Sequence, residues 1–186
     1  GFPTEFRIIA GTANDPKGRI VREFSEEDHI LPRIAPLVIA TRGVMASWIR
    51  IEAIRLSPRA FDGKFTLQFS EVFVFSGSKN IALRQPVTAS SKRNAPSRSW
   101  DTRFIVDGFV PYLMDSAQGQ PSPAFISKSG ELPALTIDLL EPNPITQIQL
   151  HTVEQGDTVP QSYAGNLGIP HHFWIEGAKL PDFSDS

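Results

Sequence analysis

Residues 47–56, SWIRIEAIRL, and 65–75, FTLQFSEVFVF, carry the clearest patterning in the chain. In the first, Trp48, Ile49, Ile51, Ala53 and Ile54 nearly alternate with polar partners. In the second, Phe65, Leu67 and Phe69 alternate, and Val72 and Val74 resume the alternation on the other parity. Side chains along a β-strand point to opposite faces with period two, so both stretches predict half-buried strands. The change of parity near Ser70 predicts a bulge. Working outward, similar patterns predict strands at 5–10, 37–41, 134–139, 146–151 and 172–176. Sixteen Pro and thirteen Gly punctuate the chain, with thirteen Phe between them. Residues 28–34 and 100–106 offer one or two helical turns at most. Short strands, frequent turn signals and almost no helix predict an all-β, two-sheet sandwich. Long loops are expected at 90–101, 111–130 and 152–168, and loops of that length in a compact domain tend to be functional.

The 186 residues suit one domain of moderate size with a real hydrophobic core. Net charge is −2, and the basic residues are scattered, with 90–99 (SSKRNAPSRS) the one local cluster in the sequence. That cluster lacks interleaved aromatics, so no nucleic-acid partner is expected. No apolar run is long enough for a transmembrane helix, so no membrane insertion is expected, and no signal-peptide pattern is present. The absence of Cys excludes disulfides, Cys zinc sites and Cys nucleophiles, and leaves the redox compartment open.

The chain also repeats a phrase. Residues 1–11 read GFPTEFRIIAG and residues 168–178 read GIPHHFWIEGA. With Gly1 set against Gly168, Pro3 meets Pro170, Phe6 meets Phe173 and Ile8 meets Ile175, the spacing of one inward strand face written twice. Further on, 23–28 (EFSEED) is echoed by 182–186 (DFSDS).

From Lys79 the order KNIALRQPVTASS (79–91), FIVDGF (104–109), LPALTIDLLEPNPITQIQLH (132–151) and GIPHHFWIEGA resembles the first half of a discoidin module. This is the type C module of coagulation factors and bacterial carbohydrate-binding proteins, in the galactose-binding domain-like superfamily. ASWIRIEAIRL (46–56) followed by FTLQFSEVFVFSG (65–77) resembles the strand pair that ends such a module. The resemblance therefore implies a jelly-roll β-sandwich, circularly permuted, in which 1–78 is the back half and 79–186 the front half. The halves would form one permuted sandwich over 1–186, joined through SGSK (76–79). The alternative is a slice through a tandem array, in which each half lacks the strands that should cover its core.

By the same resemblance, the chain is expected to be a non-catalytic, lectin-like module of a larger bacterial protein, extracellular, on the cell surface or periplasmic. Its expected partners are a carbohydrate or polysaccharide and the neighbouring domains of its parent. The rival expectation is a spacer or docking module without a sugar ligand. An enzyme is not expected: no G-x-S-x-G, HExxH or Gly-rich phosphate loop is present.

Relatives hold calcium near the turn that matches VDG here. The resemblance assigns Asp107 and Glu71 as carboxylate ligands, with Ser70 and Phe104 as carbonyl donors, a set adequate for a structural Ca2+. Phe104 and Phe109 stand where sugar-binding relatives often have Asn. The alternative is that Asp107 shapes a turn with Gly108 and Glu71 caps a strand. Sugar contacts in such modules come from end loops, where an aromatic ring stacks on a pyranose and polar groups hold its hydroxyls. Trp100, Tyr112, His151, Asp157, Tyr163 and Asn166 are the candidates, although Trp100 reads more readily as a plug beneath its loop. The His and paired Arg pattern of fucose-binding relatives is not found. Trp174 is expected at a contact between strands or modules. His171 and His172, adjacent on a strand, would face opposite ways and make poor zinc ligands.

Overall fold

Ser47–Leu56 forms strand as expected, but as the second half of a single strand that begins at Leu37. The computed structural model describes residues 2–28, 36–58, 63–94, 100–110 and 124–151. All of them belong to one unit, Gly1–Gln155. The second copy of the opening phrase, with His171, His172 and Trp174, lies outside the described residues, as does the expected strand at 172–176. Nine strands are described: β1 (Pro3–Thr12), β2 (Asp15–Phe24), β3 (Leu37–Leu56), β4 (Gln68–Phe69), β5 (Glu71–Ser76), β6 (Lys79–Asn80), β7 (Val87–Ala89), β8 (Phe125–Ile126) and β9 (Ala134–His151). Among the described residues, helix is confined to 3-10 turns at Glu26–Asp28 and Thr102–Ile105, and most of the expected helical stretch 28–34 lies outside them.

The fold is all-β, in antiparallel sheets. One sheet runs β2-β1-β3-β9-β5-β6, with β7 also on β9, and a two-stranded sheet pairs β4 with β8. β3 lies between β1 and β9, and β9 has β3 along one edge and β5 and β7 along the other. Strands from both sides of residue 78 thus share one sheet. The turn that joins them is a two-residue hairpin, Phe75 pairing with Asn80 and Ser76 with Lys79. Gly77 takes φ 60 at its first central position, as a II′ hairpin requires.

A straight strand of twenty residues would be roughly 65 Å long. Inward residues from both halves of β3 nevertheless enter one core, Ile39 and Ala46 from the first half and Ile49, Ile51 and Ala53 from the second. The sheet must curl around that core, and its register shows where. Thr41, Arg42 and Gly43 stand opposite Thr146 alone, and residues 139–142 of β9 stand opposite Ser47 alone. Extra residues on one strand of a pair bend it and increase its twist. Arg42 (φ 53), Gly43 (φ 76) and Leu140 (φ 66) are all left-handed at these points. The two expected strands at 37–41 and 47–56 are therefore one bulged strand, as are those at 134–139 and 146–151.

The predicted bulge at Ser70 is a larger event. Gln68 and Phe69 pair with Ile126 and Phe125, whereas Glu71 to Phe75 pair with β9. At Ser70 the chain leaves one sheet for the other, and the alternation changes parity because its inward direction changes.

β1 shows the face predicted from the repeated phrase. Phe6 and Ile8 are fully buried, while Arg7 turns outward to Glu52 at 2.7 Å. Phe6 stacks on Phe24 at 4.6 Å and meets Phe2 edge-on at 5.5 Å. Phe2 in turn meets Phe69 edge-on, so aromatic contacts tie the large sheet to β4. Trp48 closes the β1–β2 hairpin, donating from Nε1 to the Thr12 carbonyl at 3.2 Å, with Arg50 over its ring. A methyl group at Gly11 would overlap the indole and come within 2.7 Å of the Asp15 carbonyl oxygen. Gly11→Ala is expected to destabilise the protein by about 1–3 kcal/mol, the usual cost of overpacking. Urea denaturation with a lowered midpoint and unchanged slope would register it.

Candidate functional site

Glu71 opens β5 directly after the sheet switch. Alternation puts Val72 and Val74 in the core and turns Glu71 the other way with Phe73. Even so, Glu71 is fully buried, because the turn at Asp107 and Gly108 lies against it: the Gly108 amide donates to Glu71 Oε2 at 3.3 Å. Oε1 of Glu71 is also buried and meets no hydrogen-bond donor. The Asp107 side chain lies close enough to Glu71 for its charge and a side-chain hydrogen bond to act on the Glu71 carboxyl. Burial, then the charge of Asp107 and its side-chain hydrogen bond, push the Glu71 carboxyl from an ordinary value of 4.5 up to about 9, against the opposing pull of the Gly108 and Asp107 amides.

The turn is built locally. Asp101 caps the 3-10 turn by accepting from the Arg103 amide at 3.2 Å, and its carboxylate holds Lys92 at 3.0 Å. Ile105 and Val106 anchor the segment in the core. Asp107 Oδ1 then accepts from the Phe109 amide at 2.8 Å, and Gly108 takes φ 84. A side chain at Gly108 would be strained by that φ and would press on Leu83 Cδ1 at 2.9 Å. The expected turn-shaping role of Asp107 is thus present together with its approach to Glu71.

Of the four residues assigned to metal binding, the structure brings Glu71 and Asp107 together. Ser70, fully buried, immediately precedes Glu71, and its amide donates to the His151 carbonyl at 2.9 Å. Phe104 is half-buried in the 3-10 turn, its ring covered by Arg103 at 4.7 Å. Among the described residues, no group of three or more His, Cys, Asp or Glu forms a metal-holding cluster. Of the residues assigned to sugar binding, Tyr112, Asp157, Tyr163 and Asn166 lie outside the described residues. Trp100 is half-buried, and the Arg93 guanidinium stands 4.6 Å over its ring. His151 is on no loop: it ends β9 opposite Glu71, its ring edge-on to Phe73 at 5.0 Å and Nε2 buried without a partner. Burial lowers its pKa.

Sequence reasoning missed the Gly108 amide as a partner of Glu71. The Asp-Gly pair marks the turn in the sequence, but nothing local connects that turn with Glu71, 37 residues away in the chain. Comparison of the chain with protein-family models, with curated proteins and with solved structures finds no match.

The raised Glu71 carboxyl has a consequence for stability without added metal. The folded protein keeps a proton that the unfolded chain releases above about pH 4.5, so unfolding releases protons and stability falls as pH rises towards about 9. His151 acts in the opposite sense, losing stability as pH falls below its ordinary 6.5. Glu71→Gln, which carries a neutral donor in place of the protonated acid, is expected to remove the Glu71 slope and leave that of His151. Urea denaturation of both proteins in chelator at pH 5, 7 and 9 should show a difference that grows in favour of the variant.

Proposed function

We propose that the chain is a non-catalytic, carbohydrate-binding β-sandwich of the discoidin type, a permuted jelly roll in which Glu71 and Asp107 hold a structural Ca2+. The observation that carries this reading is the buried Glu71 carboxyl, with its unpartnered Oε1, set against a second carboxyl. Two carboxylates so placed repel each other unless a proton or a cation lies between them. Calcium takes six to eight oxygens at flexible geometry, so backbone carbonyls such as those of Ser70 and Phe104, with water, would complete the shell. The ion would supply charge compensation and lock the Asp107 turn onto β5.

The same burial speaks against a catalytic pair. A glycosidase needs two carboxyls that flank a substrate bond. Glu71 is fully buried beneath the Asp107 turn, so it presents no face to a substrate. Ligand recognition is assigned instead to Tyr112, Asp157, Tyr163 and Asn166, in the stretches that the sequence predicts as loops, together with Trp100. Among the described residues no helix is long and apolar enough to cross a membrane. The discoidin resemblance places the chain in a larger bacterial extracellular or surface protein, with a polysaccharide and neighbouring domains as partners.

Millimolar calcium is expected to raise the melting temperature relative to chelator, because a ligand that binds only the native state stabilises it. Glu71→Gln should abolish that rise. An unchanged melting temperature in wild-type protein would remove Glu71 and Asp107 as ligands. A glycan array probed in calcium is expected to return a coherent set of hits that disappears in Tyr163→Ala or Asn166→Ala. A blank array from folded, calcium-responsive protein would select the spacer reading.

A further inference from the structure

The bulge in β3 sets an arginine in a backbone conformation that glycine or asparagine adopts more readily. Arg42 (φ 53) and Gly43 (φ 76) are consecutive left-handed residues, and the Thr41 hydroxyl pins the bulge by donating to the Ile145 carbonyl. Non-glycine residues in this region cluster at binding and active sites, where the surrounding structure over-determines them. The bulge forms one wall of a groove of about 520 Å³ whose other wall is residues 19–22 of β2. Arg19, Arg22 and Arg42 all line it, and no Asp or Glu does.

All three arginines are exposed, and among the described residues none forms an ion pair. The contrast with their neighbours is sharp: Arg7 and Arg50 share Glu52, and Arg55 holds Glu5 and Glu26. Arg22 is held over the Phe24 ring at 5.1 Å, so its fork is oriented before any ligand arrives. Ile20, 52% exposed, and Val44 supply an aliphatic lining. The groove has no aromatic lining on which a nucleobase could stack.

We propose that this groove binds the oxyanion groups, sulfate or carboxylate, of an acidic polysaccharide. Guanidinium forks match such groups with paired hydrogen bonds, and a bound oxyanion relieves the mutual repulsion of three uncompensated charges. The choice of a polysaccharide as carrier rests on the carbohydrate reading above, but the groove shares no residue with the Glu71–Asp107 site or with the loop candidates.

The test is calorimetric titration, in chelator and at low salt, with a sulfated dextran oligosaccharide, oligogalacturonate, uncharged dextran, a dT oligonucleotide and phosphatidylserine vesicles. The two acidic oligosaccharides separate sulfate from carboxylate as the preferred group. At least one should bind wild-type protein while dextran does not, and binding should weaken with added salt. Arg42→Asn should weaken it by about tenfold while leaving the melting temperature equal or higher, since asparagine tolerates the left-handed backbone. Arg19→Ala combined with Arg22→Ala should act likewise, and Lys128→Ala, a charge removed elsewhere, should change little. Equal losses in Arg42→Asn and Lys128→Ala, tighter binding of dT or vesicles, or no binding of either acidic oligosaccharide would each overturn the proposal. Acidic-oligosaccharide binding through Arg42 with a blank neutral-glycan array would uphold the groove and sink the loop site alone.

Discussion

The antiparallel ladder between β3 and β9 is the constraint on which the other elements depend. It joins residues 37–52 to residues 134–150, so the chain must close a loop of roughly a hundred residues before the core exists. Every other strand of the large sheet is attached to one of these two: β1 and then β2 on the far edge of β3, β5, β6 and β7 on the far side of β9. Because the ladder is so long, it cannot be straight and still bury one face. Its two irregularities, at 41–43 and at 139–142, are the points at which the sheet turns inward. A sheet bent in this way takes inward residues from all its strands into a single cluster. Folding by such distant pairings is expected to be slow, since loop-closure entropy is lost before the contacts that offset it are made.

Strand existence was legible wherever one face is dry and the other wet. Ile49, Ile51 and Ala53 alternate because β3 has a core on one side only, and Phe6 and Ile8 could be read as inward for the same reason. β2 was not legible. It is an edge strand, with most of residues 15–22 exposed on both faces, so DPKGRIVR shows no period-two signal, and Pro16 with basic side chains reads as loop. The bulges were misread as strand ends because Arg42-Gly43 and Glu141-Pro142 look like turns in sequence. Only pairing with a partner strand distinguishes a turn from a bulge, and pairing is a long-range fact.

The candidate site divides along the same line. Asp107 and Glu71 could be named only through a family pattern, since they are far apart in the chain and neither stands in a local motif. What the pattern could not convey is the depth of Glu71. Its burial follows from the sheet switch at Ser70, which swings the first residue of β5 beneath the Asp107 turn. The arginine groove was invisible for a related reason. Arg19, Arg22 and Arg42 are dispersed in the sequence, which shows its one basic cluster at 90–99. Folding reverses that impression: Lys92 is paired with Asp101 and Arg93 stacks on Trp100, while the dispersed arginines converge with no ion pair among the described residues.

The two features differ in how they relate to stability. At Glu71 and Asp107 two carboxyls are held together by the core, and the proton that Glu71 keeps up to about pH 9 offsets their repulsion, so the electrostatic cost appears as stability lost while pH rises. At the groove the charges are on the surface, where water and salt screen them, and the cost lies instead in the left-handed backbone of Arg42. A buried site of the first kind couples proton uptake to folding itself, because the turn that covers it is also packed through Ile105 and Val106. The arginine side chains of such a groove are exposed, so shortening them should disturb the core little, whereas the bulge itself belongs to the ladder that bends the sheet. One carboxyl pair thus lies beneath a turn packed on the core and three exposed arginines lie around a bulge, so changes at the first are expected to register in stability and changes at the second in surface charge.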